Sequence, residues 1–403
     1  MDPHLLPSLV IVLLISCFVA IIAEKLNWPY TIALVITGLI VAFTHLTPDL
    51  LISHDVIFHI ILPPLLFHGG MHMDLEQLKK NWKSVSLLAV FGVIVSTFLI
   101  GYALHYIWSI DLLSALLFGA LITPTDPISV LGILKRVGAP RRLRMILEGE
   151  SIFNDGTGVV IFSLILSLLN GHSEFHIGLA FLEFLKVAGG GTLIGLIIGF
   201  LGYASFKRLD DRLHEVALTV VMAFGTPLLA EYFDFSGIIA VVVAGMIIGN
   251  YGIHYAMTER TRETLESFWV VIDFIINALL FFVIGLELQV FQETGIDFQW
   301  TAIIGGIVVL LISRAIVVYP MIALRNRLNE HDYIPAGWMH VLFWGGLKGS
   351  ISIALVVGLP YDFQYRGLFL TAAFAIVLFT LVVQGLSMKP LLNVLNLSGK
   401  SEH

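Results

Sequence analysis

Cysteine occurs once in the 403 residues, at Cys17, so no disulfide inside the chain can hold the fold together. In an apolar run that lone thiol is expected to behave as a small buried hydrophobe. Charge is also scarce: Asp, Glu, Lys and Arg make up 13% of the sequence, against roughly 25% in a soluble domain. No polar stretch is long enough for a separate soluble domain, and no basic patch suits nucleic acid. Neither a nucleic acid nor a dedicated protein partner is expected, and no cofactor. The first apolar run, Leu5 to Ala23, lacks a preceding Lys or Arg and a small-residue cleavage pattern, so it reads as a retained span rather than a signal peptide.

What is abundant is hydrocarbon. Apolar residues reach 58%, Phe alone numbers 28 and mean hydropathy is +0.93, values that exclude a soluble globular protein. Apolar stretches near or above ~18 residues, enough helix to cross ~30 Å of bilayer, recur throughout. Between polar breaks they fall near 5–23, 29–44, 54–71, 84–106, 112–134, 145–169, 187–206, 214–231, 236–250, 268–286, 299–323, 336–359 and 365–388. The expected fold is an all-α polytopic membrane protein of about thirteen transmembrane helices.

Basic residues sort by loop. Lys25; Lys79, Lys80 and Lys83; Lys135, Arg136, Arg141, Arg142 and Arg144; Lys207, Arg208 and Arg212; Arg260 and Arg262; Arg325 and Arg327; and Lys389 and Lys400 all fall on one side. These are 18 of the 22 Lys and Arg. The positive-inside rule then puts the N-terminus outside and the C-terminus in the cytoplasm of a cell (inner) membrane protein. An odd span count with a linker at 187–206 allows two six-span halves of opposite orientation, 1–170 and 214–388, followed by a short tail at 389–403. Such inverted repeats are a transporter device whose substrate site lies near the midplane, at interrupted helices in matching positions. Both interruptions are present. Span five carries Thr123-Pro124-Thr125-Asp126-Pro127, whose prolines release carbonyls near Ala120 and Thr123; span twelve carries Gly345-Gly346-Leu347-Lys348-Gly349. Broken helix at membrane depth is tolerated only where it is buried in protein or lines a wet cavity.

The ionisable residues placed deepest are Asp126, Glu150, Asp155, Arg314 and Lys348. Three carboxylates against two cations leave one surplus negative charge, which a monovalent cation or a proton cancels equally well. Mutually exclusive occupancy by the two is exchange. Glu150, Ser151, Asn154 and Asp155 open an apolar run at i, i+1, i+4 and i+5, spacing that places them together on one side of a helix. Asp155 is the choice for the shared proton and cation carrier. Thr125 and Ser151 offer hydroxyl oxygens beside the acids, and Asn154 can orient Asp155 or Asp126 without adding charge. Glu150 pairs with Arg314 in one reading and ligates the ion in another. Lys348 offsets the carbonyl ends of the broken helices. Asp74, Glu76, Asp210, Asp211 and Glu259 fall in loops and are expected to be solvated.

Thr125-Asp126-Pro127, Glu150-Ser151-x-x-Asn154-Asp155, Ser313-Arg314-Ala315 and Gly345-Gly346-Leu347-Lys348-Gly349, in this order and spacing, resemble the cation-proton antiporter 1 family, which contains the NhaP-type sodium/proton antiporters and the animal exchangers. Ile61-Leu62-Pro63-Pro64-Leu65-Leu66-Phe67, Ser236-Gly237-Ile238-Ile239-Ala240 and Asn277-Ala278-Leu279-Leu280-Phe281 extend the likeness over nearly the whole chain. The resemblance implies a mobile core domain, a homodimer, and alternating access of an elevator kind. It implies Na⁺ ligands at Thr125, Asp126, Ser151 and Asp155, with Glu150 and Arg314 as a stabilising pair. An Asn-Asp pair implies electroneutral one-for-one exchange of Na⁺, and also Li⁺, for H⁺. Lys348 departs from the arginine many members carry there. A potassium/proton antiporter on the same fold is the alternative reading, which no residue here excludes. A cation channel fits paired broken helices less well, and an intramembrane aspartyl protease using Asp126 and Asp155 lacks its Gly-x-Gly-Asp pattern.

Overall fold

The computed structural model describes residues 5–26, 28, 30–44, 56–126, 128–169, 177–209, 211–286, 300–328, 333–360 and 362–397. Pro127, Asp210 and Lys400, named above, lie outside the described residues. All the regular structure described is helical, as a chain in hydrocarbon requires when no closed barrel is built. The helices are α1 (Leu5–Lys25), α2 (Tyr30–Thr44), α3 (a π turn at Ile57–Ile61 running into Leu62–His72), α4 (Leu75–Trp108), α5 (Leu112–Ile122), α6 (Ile128–Arg136) and α7 (Arg141–Leu169). They continue as α8 (Ile177–Phe206), α9 (Arg212–Tyr232), α10 (Gly237–Tyr255), α11 (Glu259–Leu286), α12 (Trp300–Leu328), α13 (Ala336–Trp344), α14 (Ser350–Val357) and α15 (Arg366–Val394). Among the described residues eight are long and apolar enough to cross a bilayer, with α2 and α5 as shorter apolar helices.

Several helices outrun the apolar stretches that announced them. α4 starts nine residues before the expected 84, and α8 ten before the expected 187. Hydropathy sees only the lipid-facing length, whereas a capped amphipathic turn continues the helix into polar surroundings. Asp74 is that cap on α4: its Oδ1 accepts from the backbone N–H groups of Glu76 and Gln77, and its Oδ2 accepts from Arg141 Nη2 at 2.8 Å. Asp211 caps α9 likewise, accepting from the Leu213 and His214 amides, which hold its carboxyl below the usual range. Both were expected to be solvated; Asp211 is exposed, whereas Asp74 is partly covered and paired with Arg141. Cys17 corrects another expectation: it is exposed on the surface of α1 and not buried. In a spanning helix hydrocarbon replaces a protein core as the apolar environment of such a thiol.

Two bundles result. α1, α2, α3, α8, α9, α10 and α11 pack against one another, and α4 to α7 with α12 to α15 form a second, core bundle. Between them the contacts run chiefly through α7, against α3, α8 and α10, and through α11 against α14.

Within the core bundle two helices are interrupted. Asp111 caps α5, accepting from Ser114 N at 2.8 Å. The helix then stops at Ile122, ahead of Pro124, which has no N–H to continue it. α13 starts after Pro335 and ends at Trp344, capped by Gly345; α14 resumes only at Ser350.

A candidate cation site where two broken helices cross

The non-helical stretch 123–126 and the glycine segment 346–349 lie across each other and are tied both ways. Asp126 N donates to the Leu347 carbonyl at 2.8 Å, and Lys348 Nζ donates to the Thr123 carbonyl at 2.6 Å. The Lys348 amide is held in turn by Thr380 Oγ1 of α15 at 3.0 Å. The released carbonyls of one broken helix thus find donors in the other, which satisfies backbone groups that have no water to turn to. Gly349 sits so close that a Cβ on it would strike the Asp126 carboxylate.

α7 supplies the third wall. Asn154 clamps Thr125 from both ends, its Oδ1 accepting from Thr125 N at 3.2 Å and its Nδ2 donating to Thr125 Oγ1 at 2.7 Å. Ser151 Oγ donates to the Thr125 carbonyl. Residue 125 is therefore fixed by three side-chain contacts while its neighbour Asp126 is fixed through its backbone.

The residues singled out in the sequence are brought together, but on two sides of the crossing. Thr125, Asp126, Ser151 and Asp155 line a cavity of about 430 Å³, while Glu150, Asn154, Arg314 and Lys348 line a small pocket behind it. One helical side was expected for all four α7 residues. A step of about 100° per residue instead puts the i, i+4 pair 150/154 on one face and the pair 151/155 on the next. Glu150 Oε1 is bound by Arg314 Nη1, and Arg314 Nη2 also donates to the Leu342 carbonyl at 2.9 Å. Glu150 is 1% exposed, so its charge is offset by Arg314 inside the core bundle rather than by solvent.

The large cavity lies between the bundles. Its far wall is formed by Tyr30 of α2, His68 and His72 of α3, and Asp273 of α11, with Lys135 and Glu148 nearby. Asp273 was missed in the sequence, as was Glu148. The signal for Asp273 was there: it is a lone carboxylate in the run Val270-Val271-Ile272-Asp273-Phe274-Ile275-Ile276. In the fold it lies 3.6 Å from His68 Nδ1. Glu148 reads from sequence as part of the charged loop before α7, and only its placement in the first turns of that helix turns it toward the cavity.

Chemically the cavity brings the carboxyl groups of Asp126 and Asp155 together with the hydroxyl-bearing Thr125 and Ser151, a donor set for a hard cation or a proton. The sequence profile of the sodium/hydrogen exchanger transmembrane family matches residues 10–394, nearly the whole of that architecture. The chain belongs to this family. It is a family of transporters, not enzymes. Among curated relatives, the Na(+)/H(+) antiporter NhaP of Pseudomonas aeruginosa is 41% identical over 343 residues, covering 84% of this chain and 80% of that protein. The antiporter NhaG of Bacillus atrophaeus is 38% identical over 404 residues, covering 97% and 75%. The solved sodium proton antiporter MjNhaP1 of Methanocaldococcus jannaschii superposes with a TM-score of 0.78 at 20% identity, over 98% of this chain and 99% of that one. This exchanger-family chain therefore shares the fold of that structure as well as the family's sequence.

Proposed function

We propose that this exchanger-family protein is a secondary antiporter that moves Na⁺ against H⁺ one for one, with Asp155 binding either ion in turn. One observation carries the reading: Asp126 and Asp155, with the hydroxyl-bearing Thr125 and Ser151, face a single cavity between two helical bundles. Glu150 and Arg314 offset each other, and Lys348 is engaged by the Thr123 carbonyl. At the crossing itself, with both of its cations thus committed, the three carboxylates Asp126, Glu150 and Asp155 leave one negative charge for an exchangeable ion. A cation entering the cavity replaces its water with these oxygens and displaces the proton from Asp155; a proton arriving from the other side reverses the step.

The sparse contacts between bundles support alternating access in which the core bundle moves past the other, carrying the crossing with it. The exposed apolar surface of α8, including Leu182, Leu193, Ile197, Phe200 and Leu201, fits a homodimer in a bilayer. The distribution of basic residues supports a cytoplasmic C-terminus in a cell membrane.

Purified protein in liposomes with an internal pH dye tests the proposal. Sodium added outside is expected to dissipate an acid-inside gradient at a rate unaffected by clamping the membrane potential. No sodium-driven proton flux would refute the function, and a rate that follows the potential would refute one-for-one exchange. Lithium and potassium in the same assay decide the cation range.

A further inference from the structure

Behind the crossing, lined by residues of the core bundle, is a small, partly open pocket of about 20 Å³. It is bordered by Gly92 of α4, Glu150 of α7, Ser313 and Arg314 of α12, Lys348 of the glycine segment and Gln384 of α15. Four of these residues carry a buried polar atom without a hydrogen-bond partner: Glu150 Oε2, Ser313 Oγ, Arg314 Nε and Gln384 Oε1. Glu150 and Gln384 are 1% exposed and Ser313 is 2% exposed, so bulk solvent does not serve them. Isolated orphans of this kind occur in folded proteins, but four around one void call for an occupant.

The backbone makes room for one. Two of the walls are π turns, Leu87–Gly92 in α4 and Thr380–Gln384 in α15. A π turn inserts an extra residue into the helical repeat and widens it locally. In α15 the same turn delivers Thr380 to the Lys348 amide and Gln384 to the pocket.

Size and polarity identify the occupant. A single water needs a void of roughly 10–15 Å³ and two to four polar partners, so the pocket has room for one water and not for a hydrated ion. Arg314 and Lys348 outweigh Glu150 in charge, which disfavours a cation. The oxygens of Glu150 and Gln384 disfavour an anion. We propose that this pocket is a binding site for one structural water, which donates to Glu150 Oε2 and Gln384 Oε1 and accepts from Arg314 Nε and the Ser313 hydroxyl. Two donors and two acceptors match a water molecule's own two and two. The Glu150 to Arg314 pair is then a junction of three helices, α7, α12 and α15, joined through the water, and the core bundle moves as one body around it.

The direct test is a map of the wild-type protein in lipid nanodiscs at a resolution that shows other interior waters. One peak at hydrogen-bond distance from the four atoms is expected. An empty pocket, or a peak whose height rises when rubidium replaces sodium, overturns the proposal. In parallel, Gln384→Leu and Ser313→Ala are each expected to lower the melting temperature by about 2 °C or more. The double variant is expected to fall short of the sum, because both act on the same water. Strictly additive losses, or none, contradict a shared bridging molecule even if the variants fold.

Discussion

At the scale of single residues the site is a division of labour among carboxylates. Asp155 faces the cavity, whereas Glu150, five positions earlier on the same helix, is bound by Arg314. Asp155→Asn keeps shape and hydrogen-bonding capacity but removes the exchangeable charge, so dye-monitored exchange is expected to vanish while the protein elutes and melts as a folded species. Residual exchange near the wild-type rate would reassign the carrier. Glu150→Ala and Arg314→Ala each strand a buried charge, which typically costs ~3–5 kcal/mol. Thermal stability is expected to drop in both, and the double variant to be less harmed than the two losses combined. These residue types were legible from the sequence because ionisable groups in apolar runs are rare enough to stand out. Asp273 was overlooked because a single acid in a span has no motif around it, and only the packing of α11 beside the cavity gives it a neighbour, His68.

At the scale of elements, the two interruptions matter more than the helices they interrupt. Proline and glycine punctuation located both breaks from the sequence, since the loss of an N–H or of a Cβ acts locally. What punctuation could not show is which carbonyl meets which donor, because that depends on how two segments more than two hundred residues apart cross. The division of the α7 residues between two faces follows from the helical step alone; what only the packing shows is that one face meets the cavity and the other the pocket behind it. Gly349 offers a probe of the crossing itself. Gly349→Ala places a methyl group against the Asp126 carboxylate, and a displacement on the order of 1 Å at a binding constellation can cost about 100-fold in rate. Exchange is expected to fall by at least about tenfold. Gly225→Ala, with nothing within 4 Å of the added methyl, serves as the control and is expected to transport normally. Equal behaviour of the two variants would mean that the crossing tolerates movement.

For the whole molecule, proton and cation competing for one surplus charge dictates the pH response. As pH falls, protonated Asp155 no longer ligates, so the sodium concentration giving half-maximal exchange is expected to rise. As pH rises, too few protons return the carrier and the maximal rate falls. The optimum is therefore expected to move to lower pH as sodium increases, measured as initial rates over a grid of pH and sodium. A half-saturating concentration independent of pH would require separate proton and cation sites. The reciprocal tie between Thr123, Asp126, Leu347 and Lys348 has one more implication, for biogenesis. Its lysine bond joins residues 225 positions apart, so while the ribosome is still making the second half, the first half sits in the membrane with a broken helix whose freed carbonyl has no lysine to meet. The Thr123 carbonyl gains its folded-state partner only once residue 348 has arrived. A segment made late thus completes the bonding of one made early.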